Sequence, residues 1–194
     1  MEESKKEFIV NEALGYFLKY GVKNFTMDDI AEKLGISKKT LYLLFNNKET
    51  LLFEAVGVLW QKFLLEIEKI NANIDLNPLQ KIVNIYSYSI DIIRTIDPVF
   101  ILSLQKYQSK VMQSFEENRE HFKNGIIKSL LNEAQKKGLI IQDLDLDFFI
   151  EVNLENVDKR IWYNKLINQH SKEEILNHLI VYRLKGISVN LDLL

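Results

Sequence analysis

An all-α fold follows from three observations on the sequence. Apolar residues recur at i, i+3, i+4 and i+7 over long stretches, while sustained period-two alternation is hard to find. The 194 residues include only 7 Gly and 2 Pro, too few for a many-turned β chain. Residues suited to helix N-caps stand just ahead of most periodic runs. With 47% apolar and 27% charged residues, the chain has the composition of a soluble globular protein with a sizeable core.

The elements follow in order. A first helix runs from about Ser4 to Tyr20, with Ile9, Ala13 and Phe17 on one face and Gly21 as its stop. Thr26, three residues before Asp29, opens a short helix that ends at Gly35. Ser37 caps the next, Lys38 to Phe45, and Asn47 caps a long one from Lys48 to about Ile70. Asn77-Pro78 and Asp97-Pro98 each read as an N-cap followed by Pro at the first helical position, opening helices near 78–95 and 98–109. Helices over roughly 112–136, 146–166 and 172–188 complete the chain, with Gly138 ending the first and Asp145 and Ser171 capping the others. The predicted seam lies near residue 50, giving a head (1–50) and a body (51–194).

Composition excludes several functions. With no Cys, there is no disulfide scaffold, thiolate zinc site, iron–sulfur cluster or thiol nucleophile. No apolar run reaches the roughly 18 residues of a membrane span, and the N-terminus lacks a secretory h-region. A soluble, cytoplasmic protein with no membrane partner is expected. His121, His170 and His178 give no His-x-x-x-His pair, and Asp143, Asp145 and Asp147 sit in a helix-entry loop as cap and solvated acids. Without a nucleotide or nucleophile motif, neither an enzyme, a metal site nor a cofactor is expected.

Net charge is −2, so the molecule is no polycation, but Lys33, Lys38, Lys39 and Lys48 occupy a stretch without acids. Such runs are commonly solvated helix faces. Here the stretch coincides with two short capped helices joined by a tight turn at Gly35, a helix-turn-helix by length and cap chemistry. Ile30, Ala31, Leu34, Ile36 and Leu41 would form its small core. The second helix opens with Ser37-Lys38-Lys39-Thr40, bringing amide dipoles, two cations and two hydroxyls to one tip. DNA needs such a tip, for phosphates and for base edges. An all-α scaffold that never meets DNA would leave it unexplained.

Residues 9–51 resemble the DNA-binding head of TetR-type transcriptional regulators. The resemblance rests on Ile9, Ala13, Phe17, Gly21, Thr26, Ile30-Ala31, Gly35-Ile36-Ser37, Leu41-Tyr42-Leu43-Leu44-Phe45 and Lys48-Glu49-Thr50-Leu51, in order and without gaps. It implies a double-stranded DNA operator as partner. Thr26 would cap the second helix near phosphate, and Ser37, Lys38, Lys39 and Thr40 would begin the recognition helix. Tyr42 would donate to phosphate and Lys48 would bind the DNA backbone. Lys39 stands where such heads often carry Gly, Ala or Pro. Leu43 and Leu44 replace polar or aromatic residues, and one of them faces outward, towards a thymine methyl or at the loss of a phosphate contact.

For the body, the resemblance implies a helical ligand-binding and dimerisation bundle, about nine helices in the whole chain. Its last two helices would pair with those of a second copy in a homodimer. The apolar excess of the last two helices nominates Val157, Ile161, Trp162, Ile175, Leu179, Tyr182 and Gly186 for that face. Two recognition helices related by a two-fold axis read half-sites about 34–36 Å apart. An unidentified small-molecule effector would enter among the middle helices, where Tyr86, Tyr88, Phe100, Gln105, Tyr107, Phe115 and His121 are the candidate liners. Trp60 and Trp162 read as core or interface side chains. The whole reading is a repressor released by its ligand.

Overall fold

A computed structural model describes residues 2–107, 109–163 and 166–193. The order is α1 (Glu2–Tyr20), a 3₁₀ turn (Val22–Asn24), α2 (Met27–Lys33), α3 (Lys38–Leu44), α4 (Lys48–Ala72), α5 (Pro78–Thr95), α6 (Pro98–Tyr107) and α7 (Ser109–His121). After a π turn (Phe122–Ile127) come α8 (Lys128–Lys136), α9 (Leu146–Phe149), a π turn (Ile150–Leu154), α10 (Val157–Tyr163) and α11 (Leu166–Gln169). The chain closes with α12 (Lys172–Leu176), a π turn (Asn177–Val181), α13 (Tyr182–Ile187) and a 3₁₀ turn (Leu191–Leu193). The fold is all-α. Among the described residues the one β-type pairing is an isolated bridge between Ile140 and Ser188.

Helix boundaries follow local chemistry. Thr26 and Asp29 form a complete capping box, Ser37 accepts the Thr40 N–H, and Ser171 with Glu174 forms a second box. The Asn77 side chain accepts the N–H groups of Leu79 and Gln80, and the Asp97 side chain accepts that of Val99. Pro at the first helical position of α5 and α6 therefore sacrifices no bond. The periodicity-based helices differ from the structure at the π turns. One breaks the 112–136 prediction at Phe122–Ile127, another lies within 146–166, and a third interrupts 172–188 at Asn177–Val181. A π turn accommodates an extra residue without leaving the helical path, so the sequence pattern stays helical throughout. Between 146 and 166 the helix also breaks at Asn156, whose φ is +55°.

Packing forms two compact units, each discontinuous in sequence: residues 1–64 with 95–117, and 65–94 with 118–194. In the first, Ile9, Ala13, Phe17, Ile30, Leu41 and Phe45 are fully enclosed. Residues 95–117 belong to this same core through Phe100, Leu104 and Val111. The Asp97 N–H donates to the Leu18 carbonyl at 2.9 Å, and the Val22 N–H donates to the hydroxyl of Ser103 at 3.3 Å. Ser103 is buried, and its hydroxyl is used again as a donor to the Phe100 carbonyl at 2.7 Å.

The second unit buries Leu79, Ile82, Ile85, Tyr86 and Ile90 of α5 with Leu130, Leu131, Phe149, Ile161, Ile180 and Leu184. Polar ties join its elements. Arg119 reaches Asp158 at 2.9 and 3.2 Å and Asn156 at 3.1 Å, Lys172 pairs with Asp91 at 2.5 Å, and Arg183 donates to the Asn153 carbonyl. That last bond meets a carbonyl inside a π turn. Gln135 serves the connector after α8 by donating to the carbonyls of Gln142 and Leu144.

Candidate nucleic-acid interface

The interface is built by two short helices and the turn between them. α2 ends in a Schellman closure: the Ile36 N–H returns to Ala31 and the Gly35 N–H to Glu32, with Gly35 at φ +63°. Only a residue without a Cβ takes that conformation at no cost, and it redirects the chain into α3. Ile30, Ala31 and Leu41 are buried where the helices meet, while Leu34 and Ile36 are half-buried. Phe17 and Phe45 are fully enclosed core side chains and cannot stack on bases.

The recognition face is then laid out residue by residue. Ser37 caps α3, accepting the Thr40 N–H at 3.0 Å, and its hydroxyl lies 2.8 Å from that of Thr40. Tyr42 is 48% exposed and Leu43 is 75% exposed, whereas Leu44 is half-buried. Leu43 is thus the outward-facing leucine. Thr26 is engaged by Asp29, whose carboxylate accepts the Thr26 N–H at 2.8 Å and its hydroxyl at 2.7 Å. Those bonds hold the Asp29 carboxyl below the usual carboxylate range.

The four lysines of the cationic stretch do not act alike. Lys33 lies over the rings of Tyr16 and Phe25, 5.6 and 5.5 Å from their centroids. Lys38 is bonded to Asp28 at 2.6 Å, an exposed pair whose hydrogen bond and charge raise the lysine's pKa. Lys39 is exposed and has no partner among the described residues. Lys48 turns inward. Its ammonium donates to the carbonyls of Val22 at 3.1 Å and Phe25 at 2.8 Å, and burial pushes its pKa down against the opposing charge of Asp29. The structure thus gives Lys48 a positioning role that the expectation of a DNA-backbone contact did not include: two of its three donors hold the 22–25 turn against the start of α4. Charge counting along the sequence could not find this, because the carbonyls lie more than twenty residues earlier.

Residues 9–55 match the sequence model of the bacterial regulatory proteins of the tetR family. The head is a TetR-family DNA-binding domain. The chain is 25% identical over 175 residues to YvaF of Bacillus subtilis (strain 168), an uncharacterized HTH-type transcriptional regulator, covering 86% of this chain and 87% of that one. Two solved structures share the fold along nearly the whole chain. A TetR-family regulator from Cytophaga hutchinsonii superimposes with a TM-score of 0.79 at 14% identity, covering 97% of each chain. FadR from Bacillus subtilis, in complex with stearoyl-CoA, does so with a TM-score of 0.70 at 20% identity, covering 89% of this chain and 96% of that one. The family match thus covers the head, and the two solved structures, each under 25% identical, show the all-α fold of the whole chain. Among the described residues, no helix is long and apolar enough to cross a membrane.

The body distributes its nominated residues unevenly. Phe100, Gln105 and Phe115 belong to the unit that contains the head, whereas Tyr86, Tyr88 and His121 belong to the other. Phe100, Phe115 and Tyr86 are buried, Tyr88 is half-buried, and Gln105 and His121 are exposed. Burial, with the charge of Asp158 in support, raises the Tyr86 phenol far above the ordinary tyrosine range, and its ring meets Phe122 edge-on at 6.2 Å. Of the residues nominated for a dimer face, Val157, Ile161 and Ile175 are buried within one chain, at most 4% exposed. Tyr182 and Gly186 are exposed and Leu179 is half-buried. Phe148 and Val152, which are not among the nominated residues, are 64% and 50% exposed and one turn apart; in the sequence Phe148 counts only towards the apolar excess, and Val152 is missed. The side chains of Tyr107 and Trp162 lie outside the described ones.

Proposed function

We propose that this protein is a homodimeric repressor, released from a palindromic operator by a small molecule bound within residues 51–194. The observation that carries the DNA reading is the α3 surface: a Ser-capped start, a Lys39 without a partner among the described residues, and Tyr42 and Leu43 held outward on a helix whose other face is buried. It offers the donors and the apolar contact that a major groove accepts. One seven-residue helix makes too few contacts for selective binding, and a two-fold pair supplies the rest. Exposed Phe148, Val152 and Tyr182, with Leu179 and Gly186, are the surface that supports pairing. The stearoyl-CoA held by the Bacillus subtilis FadR structure supports a small-molecule effector in a body of this fold.

The test is retention of genomic DNA fragments by the purified protein over a salt series. Selection of a palindrome with half-sites about one helical turn apart, and affinity falling steeply with salt, is expected. Lys39→Ala should lower the slope of log affinity against log salt by about 0.9 per head, hence about twice that for a dimer, with the oligomeric state unchanged. No fragment retained at low salt, with and without extracted small molecules, would sink the reading.

A further inference from the structure

Trp60, on α4, has an indole N–H that is shielded from solvent and finds no acceptor among the described residues. Its surroundings explain why. Phe63, one turn further along α4, stands edge-on to the indole at 5.4 Å and 83°. Phe115, on α7, meets it at 5.4 Å and 59°. Both phenylalanines are buried, as is Val56, one turn earlier on α4. All four residues lie in the same compact unit, whose core also holds Phe100, Leu104 and Val111.

Buried donors in native proteins are almost always paired, and those that are not call for an explanation. If this position only filled space, phenylalanine would do so without stranding an N–H. A cluster of aromatic rings with one directed donor is the pattern of a ligand site, in which apolar area supplies affinity and a few polar groups fix orientation. We propose that Trp60 is an effector contact, its indole N–H donating to a carbonyl oxygen of an otherwise apolar molecule. The described ring contacts are aromatic and include no cation, so a neutral carbonyl suits the site better than a carboxylate, whose charge would be buried unpaired. This inference rests on the ligand-responsive reading above and specifies the chemistry of the ligand.

The experiment uses the full chain carrying Trp162→Phe, which leaves Trp60 as the sole indole. Methyl decanoate and undecane, chains of similar length with and without a carbonyl, are titrated while indole fluorescence and the indole ¹H–¹⁵N resonance are followed. Cyclododecanone serves as a carbonyl probe of a different shape. The expected result is binding of a carbonyl probe about tenfold tighter than the alkane, which is about 1.4 kcal/mol, with the indole proton moving downfield as it acquires an acceptor. With both tryptophans replaced by Phe, a competition assay should find the preference gone while the thermal melt is retained.

Equal affinity for ester and alkane, or no response to any of the three probes, overturns the proposal. So does an indole proton already at a hydrogen-bonded position in the probe-free protein. Fragment retention measured on the same sample separates the two readings. Selective DNA binding without a probe response removes only the role of Trp60. A probe response in a protein that retains no DNA removes the regulator reading and leaves the site.

Discussion

Replacing Lys48 by Met keeps the length of the side chain and removes its ammonium. That ammonium supports the Val22 and Phe25 carbonyls at 3.1 and 2.8 Å. A hydrogen bond to a charged donor contributes about 1.5–3 kcal/mol when well buried. Lys48 is only part-buried, and water can take over at both carbonyls. The pair together is therefore worth about 1–2 kcal/mol after discounting for solvent. In a chain of 194 residues each kcal/mol moves the melting temperature by about 2–4 °C, so Lys48→Met should lower Tm by about 2–8 °C. Circular dichroism of the full chain measures this directly. DNA affinity should fall too, because the 22–25 turn leads into α2, but the salt slope should stay within about 0.3 of the parent, since no phosphate contact is lost. A Tm unchanged within about 1 °C, together with a slope reduced by about 0.9 per head, would show that Lys48 is a phosphate ligand after all.

Gly21 and Tyr86 give two further tests. Gly21 has φ +78°, and a Cβ added there would lie 2.8 Å from Cγ1 of Val99, so Gly21→Ala should cost about 2–4 kcal/mol in urea unfolding. Adding Val99→Ala should return the steric part of that cost and leave the backbone part; a double variant no more stable than Gly21→Ala would refute the contact. Burial raises the Tyr86 pKa, so the folded chain keeps a proton that the unfolded chain releases above about pH 10. The stability linked to that proton is intact below pH 10 and declines as pH rises, by up to about 1.4 kcal/mol per unit. In guanidinium unfolding, the difference between parent and Tyr86→Phe should therefore shift by about 1 kcal/mol against the parent between pH 9 and pH 11; a constant difference would contradict the burial.

What the sequence disclosed was local. Thr26, Ser37, Asn77, Asp97 and Ser171 cap within three residues of themselves, so their partners can be found by spacing alone. Gly35 at the turn and the enclosed Ile30 and Leu41 are legible for the same reason. The lysines were not. Lys33, Lys38, Lys39 and Lys48 read alike as charges, and they differ only because the fold brings rings to the first, an acid to the second and carbonyls to the last. Apolar patterning likewise failed to separate Val157 and Ile161, which one chain buries, from Phe148 and Val152, which it leaves exposed. A helix that serves its own core and also a second surface is apolar on two faces, and periodicity reports their sum. The π turns were hidden as well, since an added residue alters the hydrogen-bond ladder and not the composition.

The pairing of residues 1–64 with 95–117 bears on how such a head can be transplanted. A chimaera joining residues 1–50 to another protein's body would leave behind the hydroxyl that receives the Val22 N–H and the amide that caps the Leu18 carbonyl. It would also uncover apolar area now closed by α6. The smallest movable cassette is accordingly split in sequence, with α6 carried alongside the first four helices. In a lineage that exchanges DNA specificity by recombination, a crossover at residue 50 would be selected against unless the incoming body supplied its own serine hydroxyl and backbone amide at equivalent places. Point changes along α3 avoid that constraint, which makes them the easier route to a new operator.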